Sequence, residues 1–145
     1  MREILFRGKS RENGNWVEGC LICANEYCCI LQDEEKVHPT EYPYLGAKTG
    51  CIDGYATPVI LETVGQYTGL KDKNGKKIFE GDLCLCNRHI NSSIDKQVFH
   101  ISFETKSGQW IGNGWSSYIE AEQFSMCEVI GNIHDNPELL KEGAK

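Results

Sequence analysis

The stretch Val64–Asp82, VGQYTGLKDKNGKKIFEGD, decides the fold. Val64 and Tyr67 open it as a strand, Gly69 turns it, and apolar residues return at Ile78 and Phe79. Between the two runs lies Asn74-Gly75. An Asn-Gly pair between strand-like runs is the strongest short-range hairpin signal, because a type I′ turn requires positive φ at both central residues. A second stop, Glu80-Gly81-Asp82, aims the chain into Leu83 and Leu85. Nothing in the segment carries chemistry.

Upstream, Arg2–Arg7 reads as a strand, Arg11–Asn15 as a turn with its own Asn-Gly pair, and Trp16 to Cys23 as a second strand. Ala24-Asn25-Glu26 is the next reversal, and Tyr27–Leu31 a third strand. Short strands with regularly spaced turns argue an all-β unit. Residues 38–58 hold Pro39, Pro43 and Pro58 with Gly46, Gly50 and Gly54 between them, a density that predicts an irregular loop. A boundary near residues 58–63 divides the chain into an N-terminal antiparallel β subdomain, 1–62, and a second subdomain, 63–145.

Downstream, Leu83–Cys86 is a short strand and Asn87–Lys96 a polar loop. Val98–Phe103 alternates, with Phe99, Ile101 and Phe103 on one face and Val98, His100 and Ser102 on the other. Trp110-Ile111 returns, Gly112-Asn113-Gly114 breaks the chain, and Trp115–Ile119 resumes it. A helical turn at Glu120–Phe124, a closing strand at Cys127–Ile133 and a brief helix opened by Pro137 complete the reading; the last four residues are expected to fray. Five or six short strands joined by glycine turns suit a small antiparallel barrel, whose closure removes exposed edges.

At 145 residues the chain has the size of one domain. Three Trp, six Tyr and five Phe supply a packed interior. Fifteen basic against twenty-one acidic residues give a net charge of −6, which opposes a general affinity for nucleic acid. Charge returns at Arg7 after three apolar residues, and no apolar run approaches the roughly 20 residues that span a bilayer. A soluble, cytoplasmic protein is expected. Eight cysteines are under the roughly 8–10% that marks a disulfide scaffold, so thiols are expected in a reducing cytosol.

Cys20, Cys23, Cys28 and Cys29 fall within ten residues and suggest zinc, but the spacing opposes it. On a regular strand Cys20 and Cys23 point to opposite faces, as do Cys28 and Cys29, so four sulfurs do not converge. They read as small buried hydrophobes. Cys84 and Cys86 share one strand face and read the same way. Lys71, Lys73, Lys76 and Lys77 surround Asp72 at the hairpin tip. They are candidate partner contacts, but with no aromatic platform interleaved they read first as a solvated turn. Trp110 and Trp115 flank Gly112-Asn113-Gly114 and are candidates for lining a groove, against the alternative of core packing. The four histidines are scattered, and no nucleophile elbow, P-loop or zinc-protease motif occurs. No catalytic residue, cofactor or metal site is assigned, and an enzyme is not expected.

Three segments together resemble the YopX family of phage and prophage proteins: Arg2–Arg7, Gln66–Asp82 and Glu128–Leu140. The resemblance implies a two-part all-β chain with an SH3-like small β-barrel after the N-terminal subdomain, and a gene carried by a phage or prophage in a bacterial host. It implies no reaction. The leading expectation is a non-catalytic binding or assembly module for a host or phage macromolecule, with homo-oligomerisation open. The alternatives are a thiol- or metal-dependent protein using the Cys20–Cys29 cluster, and weak single-stranded nucleic acid binding through the lysine hairpin at 71–77.

Overall fold

The computed structural model describes residues 1–32, 56–90 and 93–142. Most of the Pro/Gly-rich segment, His38 and the last three residues lie outside them. The chain divides into two compact units, Met1–Gln66 and Tyr67–Lys145. Among the described residues every strand pairing is antiparallel, and the protein is mostly β.

In the first unit, β1 (Phe6–Lys9), β2 (Trp16–Ala24), β3 (Tyr27–Leu31) and β4 (Ala56–Val59) follow one another as a meander. The first strand begins at Phe6, later than the apolar run suggests. Gly65 and Gln66, which open β5 (Gly65–Lys71), pair with Arg7 and Phe6 on the other side of β1. Alternation turns Val17, Cys28, Ile30 and Val59 inward, and Leu21 and Val64 pack against them. Trp16 lies beneath two cations, Arg7 at 4.7 Å and Lys9 at 5.5 Å from its ring centroid. The β2–β3 loop is only Asn25-Glu26, since Ala24 pairs with Tyr27, and Asn25 takes φ 56°, a conformation its short polar side chain tolerates.

In the second unit, the remainder of β5 forms a hairpin with β6 (Lys77–Phe79), and Tyr67 faces Phe79 with ring centroids 5.5 Å apart. The register shifts between Tyr67 and Lys71, where Gly69 takes φ 86°. The tip is not the type I′ turn expected from Asn74-Gly75. Only Gly75 has positive φ, and Gly75 N bonds Asp72 O while Asp72 N bonds Lys76 O. This is a type I turn closed by a left-handed glycine, a common alternative for slightly longer loops.

A five-stranded sheet follows: β7 (Asp82–Ile90), β8 (Ser93–Glu104), β9 (Gln109–Asn113), β10 (Tyr118–Glu120) and β11 (Glu128–Asn132), in the order β10-β9-β8-β7-β11. Its two outer strands do not pair with each other, so among the described residues the sheet is open and not the closed barrel anticipated. Residues 87–90 and 93–96 are strand, where a polar loop was expected. Residues 93–96 are exposed, so polarity there does not exclude pairing. The break expected at Gly112-Asn113-Gly114 instead lies at 114–117, where Gly114 N bonds Ser117 O, so Trp115 is in the loop and the strand begins at Tyr118.

One face of this sheet carries Cys84, Cys86, Phe99, Ile101 and Ile119, and these pack with Ile78, Phe124 and Cys127 into a fully buried core. Phe124 comes from the 3-10 turn Ala121–Met126, and the chain ends in α1 (Glu138–Glu142).

Candidate functional site

The lysine tip is built into the fold. Asp72 is buried between its lysines, and its carboxylate accepts the amides of Asn74 at 2.8 Å, Lys76 at 2.9 Å and Val129 at 3.0 Å. Lys73 N bonds Cys127 O at 2.9 Å, and Lys73 Nζ lies 3.3 Å from Glu128. Lys77 lies 5.3 Å from the Tyr67 ring. Burial alone raises a carboxyl's pKa, but the three amides and the Lys76 charge hold Asp72 below its ordinary 3.8. Of the four lysines, Lys71 and Lys76 are exposed, and Lys76 adds its charge beside Asp72. The tip therefore acts first as a clasp on the outer edge of β11.

The two tryptophans part company. Trp110 packs half-buried against the core and meets Phe103 edge-on, with centroids 5.0 Å apart. Trp115 is 76% exposed at the β9–β10 turn, and Tyr118 beside it is 60% exposed. Next to them is a shallow cleft of about 430 Å³ lined by Ser116, Ser117, Tyr118, Glu120 and Gln123. Ser117 Oγ donates to Gln97 Oε1 at 3.0 Å, and Glu120 N donates to Gln123 Oε1 at 3.1 Å, so the cleft walls are fixed to β8 and to the 3-10 turn. Trp115 and the lysine tip lie at opposite edges of the sheet.

Sequence reasoning found Trp115 but missed Tyr118, Glu120 and Gln123. The available signal was a composition shift. From Ser107 to Leu140 the chain has no Lys or Arg, while it holds Glu120, Glu122, Glu128, Asp135 and Glu138.

The cysteines depart from the all-thiol expectation. Cys23 and Cys28, directly opposite across the β2–β3 hairpin with Cα atoms 4.2 Å apart, form a disulfide. Cys29 is also disulfide-bonded. Of the four clustered cysteines only Cys20 is a free thiol, and it is exposed. The four-thiolate reading is therefore incompatible with this arrangement, and among the described residues no group of three or more His, Cys, Asp or Glu converges on a metal site. Cys84, Cys86 and Cys127 are buried thiols. Burial pushes Cys84 and Cys127 well above the ordinary thiol range, Asp82 adding at Cys84 and Cys86 at Cys127. Such thiols are poor nucleophiles.

The fold and site define an all-β protein of two antiparallel units with an aromatic sheet edge. The chain belongs to the family described as YopX protein, whose profile matches residues 5–141. A solved structure, protein EF1440 from Enterococcus faecalis, is similar in fold, with a TM-score of 0.55 and 22% identity over 97% of this chain and 99% of that one. No curated protein matches the chain. Among the described residues no helix is long and apolar enough to cross a membrane.

Proposed function

We propose that this protein is a non-catalytic binding or assembly module that docks a macromolecular partner through Trp115, Tyr118 and the outer edge of β10. The observation that carries this reading is the exposure of Trp115. A large, stiff aromatic held in water is the residue type that dominates interface energies when a partner desolvates it. The neighbouring polar cleft supports the reading by offering Ser, Glu and Gln groups for orientation around an apolar anchor.

The family resemblance supports a phage or prophage gene acting in the cytoplasm of a bacterial host, and a relation to SH3-like barrels in which the second unit is left open at β10. The test is capture from host lysate by the intact chain and by Trp115→Ser. A partner retained by the native protein and by Lys76→Ser, but lost with Trp115→Ser, supports the reading. A partner indifferent to Trp115, or lost only with Lys76→Ser, overturns it.

A further inference from the structure

We infer that the outer edge of β10 receives an extended basic segment of a partner protein as an added strand, an inference that rests on the docking reading above. The hydrogen-bond pattern sets the geometry. Glu120 N is bonded to Gln123 Oε1, so it points away from β9. Antiparallel pairs alternate between bonded and non-bonded, so Ile119 exchanges with Gly112 while Tyr118, two residues from Glu120, turns its own N–H and C=O outward. Among the described residues no strand pairs on that side.

The opposite edge of the sheet is guarded. There, Asp72 takes the Val129 amide and Lys73 N takes the Cys127 carbonyl. Exposed edges are ordinarily blunted by shortness, charge, Pro or a bulge. Strand β10 is only three residues long and Gln123 occupies the Glu120 N–H, so Tyr118 is the residue that offers an open N–H and C=O. An open residue at a sheet edge, beside exposed aromatics, lets a peptide strand join through its main chain while side chains give selectivity.

Charge selects the occupant. Glu120 and Glu122 are exposed at the end of this edge, within the stretch Ser107–Leu140 that lacks any Lys or Arg. A second copy of the chain would lay two such acidic segments side by side in an isologous contact, which like charges disfavour. A strand bearing Lys or Arg at alternate positions complements the edge, because Tyr118 and Glu120 share one face of β10. The basic side chains that reach Glu120 also lie beside the Tyr118 ring, while the intervening apolar side chains fall on the Ile119 face.

The experiment uses the full chain, labelled with nitrogen-15, titrated with short capped peptides that alternate Val with Lys, Ser or Glu. The Lys peptide is expected to shift the Trp115 and Tyr118 resonances and to bind about three- to tenfold tighter than the Ser peptide, the scale of two exposed ion pairs. Methylating alternate amides of that peptide is expected to remove binding, as is Tyr118→Pro, and Glu122→Lys to bring the Lys peptide toward the Ser level. The methylated peptide needs no protein variant, so misfolding of Tyr118→Pro does not blunt the test. Equal binding of all three charges at Trp115 would overturn the basic occupant and leave the docking edge standing. Undiminished binding of the methylated peptide would overturn strand addition. Concentration-dependent shifts without peptide would replace the partner by a second copy. Silence at Trp115 and Tyr118 with every peptide would remove the docking reading itself.

Discussion

Asp72 Oδ2 accepts the amide of Val129 at 3.0 Å across 57 residues of sequence, and this contact fixes the lysine hairpin to the sheet. The other carboxylate oxygen holds the turn through Asn74 and Lys76. One side chain thus shapes a loop and closes a sheet edge. Asp72→Asn keeps the size but sets an amide N–H₂ against a donor, and is expected to cost about 1–3 kcal/mol, the penalty of an unsatisfied buried group. Urea denaturation checks it. Lys73→Ala, which removes only a half-exposed pair with Glu128, is expected to cost less than about 1 kcal/mol and to lose its effect in high salt.

The same carboxylate makes the second unit sensitive to acid, and His100 adds a second window. Asp72 titrates below its ordinary 3.8 in the folded protein, so its stabilisation is complete above that pH and is lost as pH falls through it. Burial, with His134 adding and Glu80 opposing, holds His100 below its ordinary 6.5. The unfolded chain therefore takes the His100 proton first, and stability declines as pH falls below 6.5. Thermal melts between pH 7 and pH 3 are expected to show both declines, with Asp72→Asn flattening only the lower one and His100→Gln only the upper.

Thiol labelling separates the cysteines by position. Cys20 is exposed and is expected to react with iodoacetamide in the native protein, while Cys84, Cys86 and Cys127 react only after unfolding. Peptide mapping with and without prior reduction reads the result, and Cys23 and Cys28 are expected to label only when reductant is added. Native labelling of Cys84 or Cys127 at the Cys20 rate would contradict the packed core.

Much of this architecture is legible in the residues because burial writes a period of two into a half-covered strand. Alternation alone puts Phe99 with Ile101, and Cys84 with Cys86, on shared faces, and in the structure those faces line the core. Legibility fails where burial does not impose that signal. The strand extensions at 87–90 and 93–96 show no apolar alternation. The Asn74-Gly75 turn is mistyped because Asp72, a buried side chain bonded to a strand far along the chain, outweighs the local Asn-Gly preference. Alternation places each of Cys23 and Cys28 on a face of its own strand, but their pairing depends on the Asn25-Glu26 loop being two residues long. Trp115 was visible as a candidate, whereas the cleft beside it depends on the Gly114–Ser117 turn, which sequence placed elsewhere.

Gly112 links the core to the candidate site. A Cβ added there would lie 2.6 Å from Ile119 Cγ1 and 3.1 Å from Phe99 Cβ, both fully buried. The bare backbone lets Ile119 lie close over β9, and Ile119 is the one residue of β10 anchored in the core. Gly112→Ala is therefore expected to push Ile119 outward and to destabilise the unit by about 1–3 kcal/mol, the usual scale of overpacking. Pairing it with Ile119→Ala tests the cause, since that change removes the Cγ1 and Cδ1 atoms in contact, and the double variant is expected to lose less than the sum of the two single losses. Amide exchange at Ile119 reports whether β10 has loosened locally. If Gly112→Ala leaves that exchange unchanged while lowering global stability, the close approach to Phe99 governs instead, and the anchoring of β10 lies elsewhere.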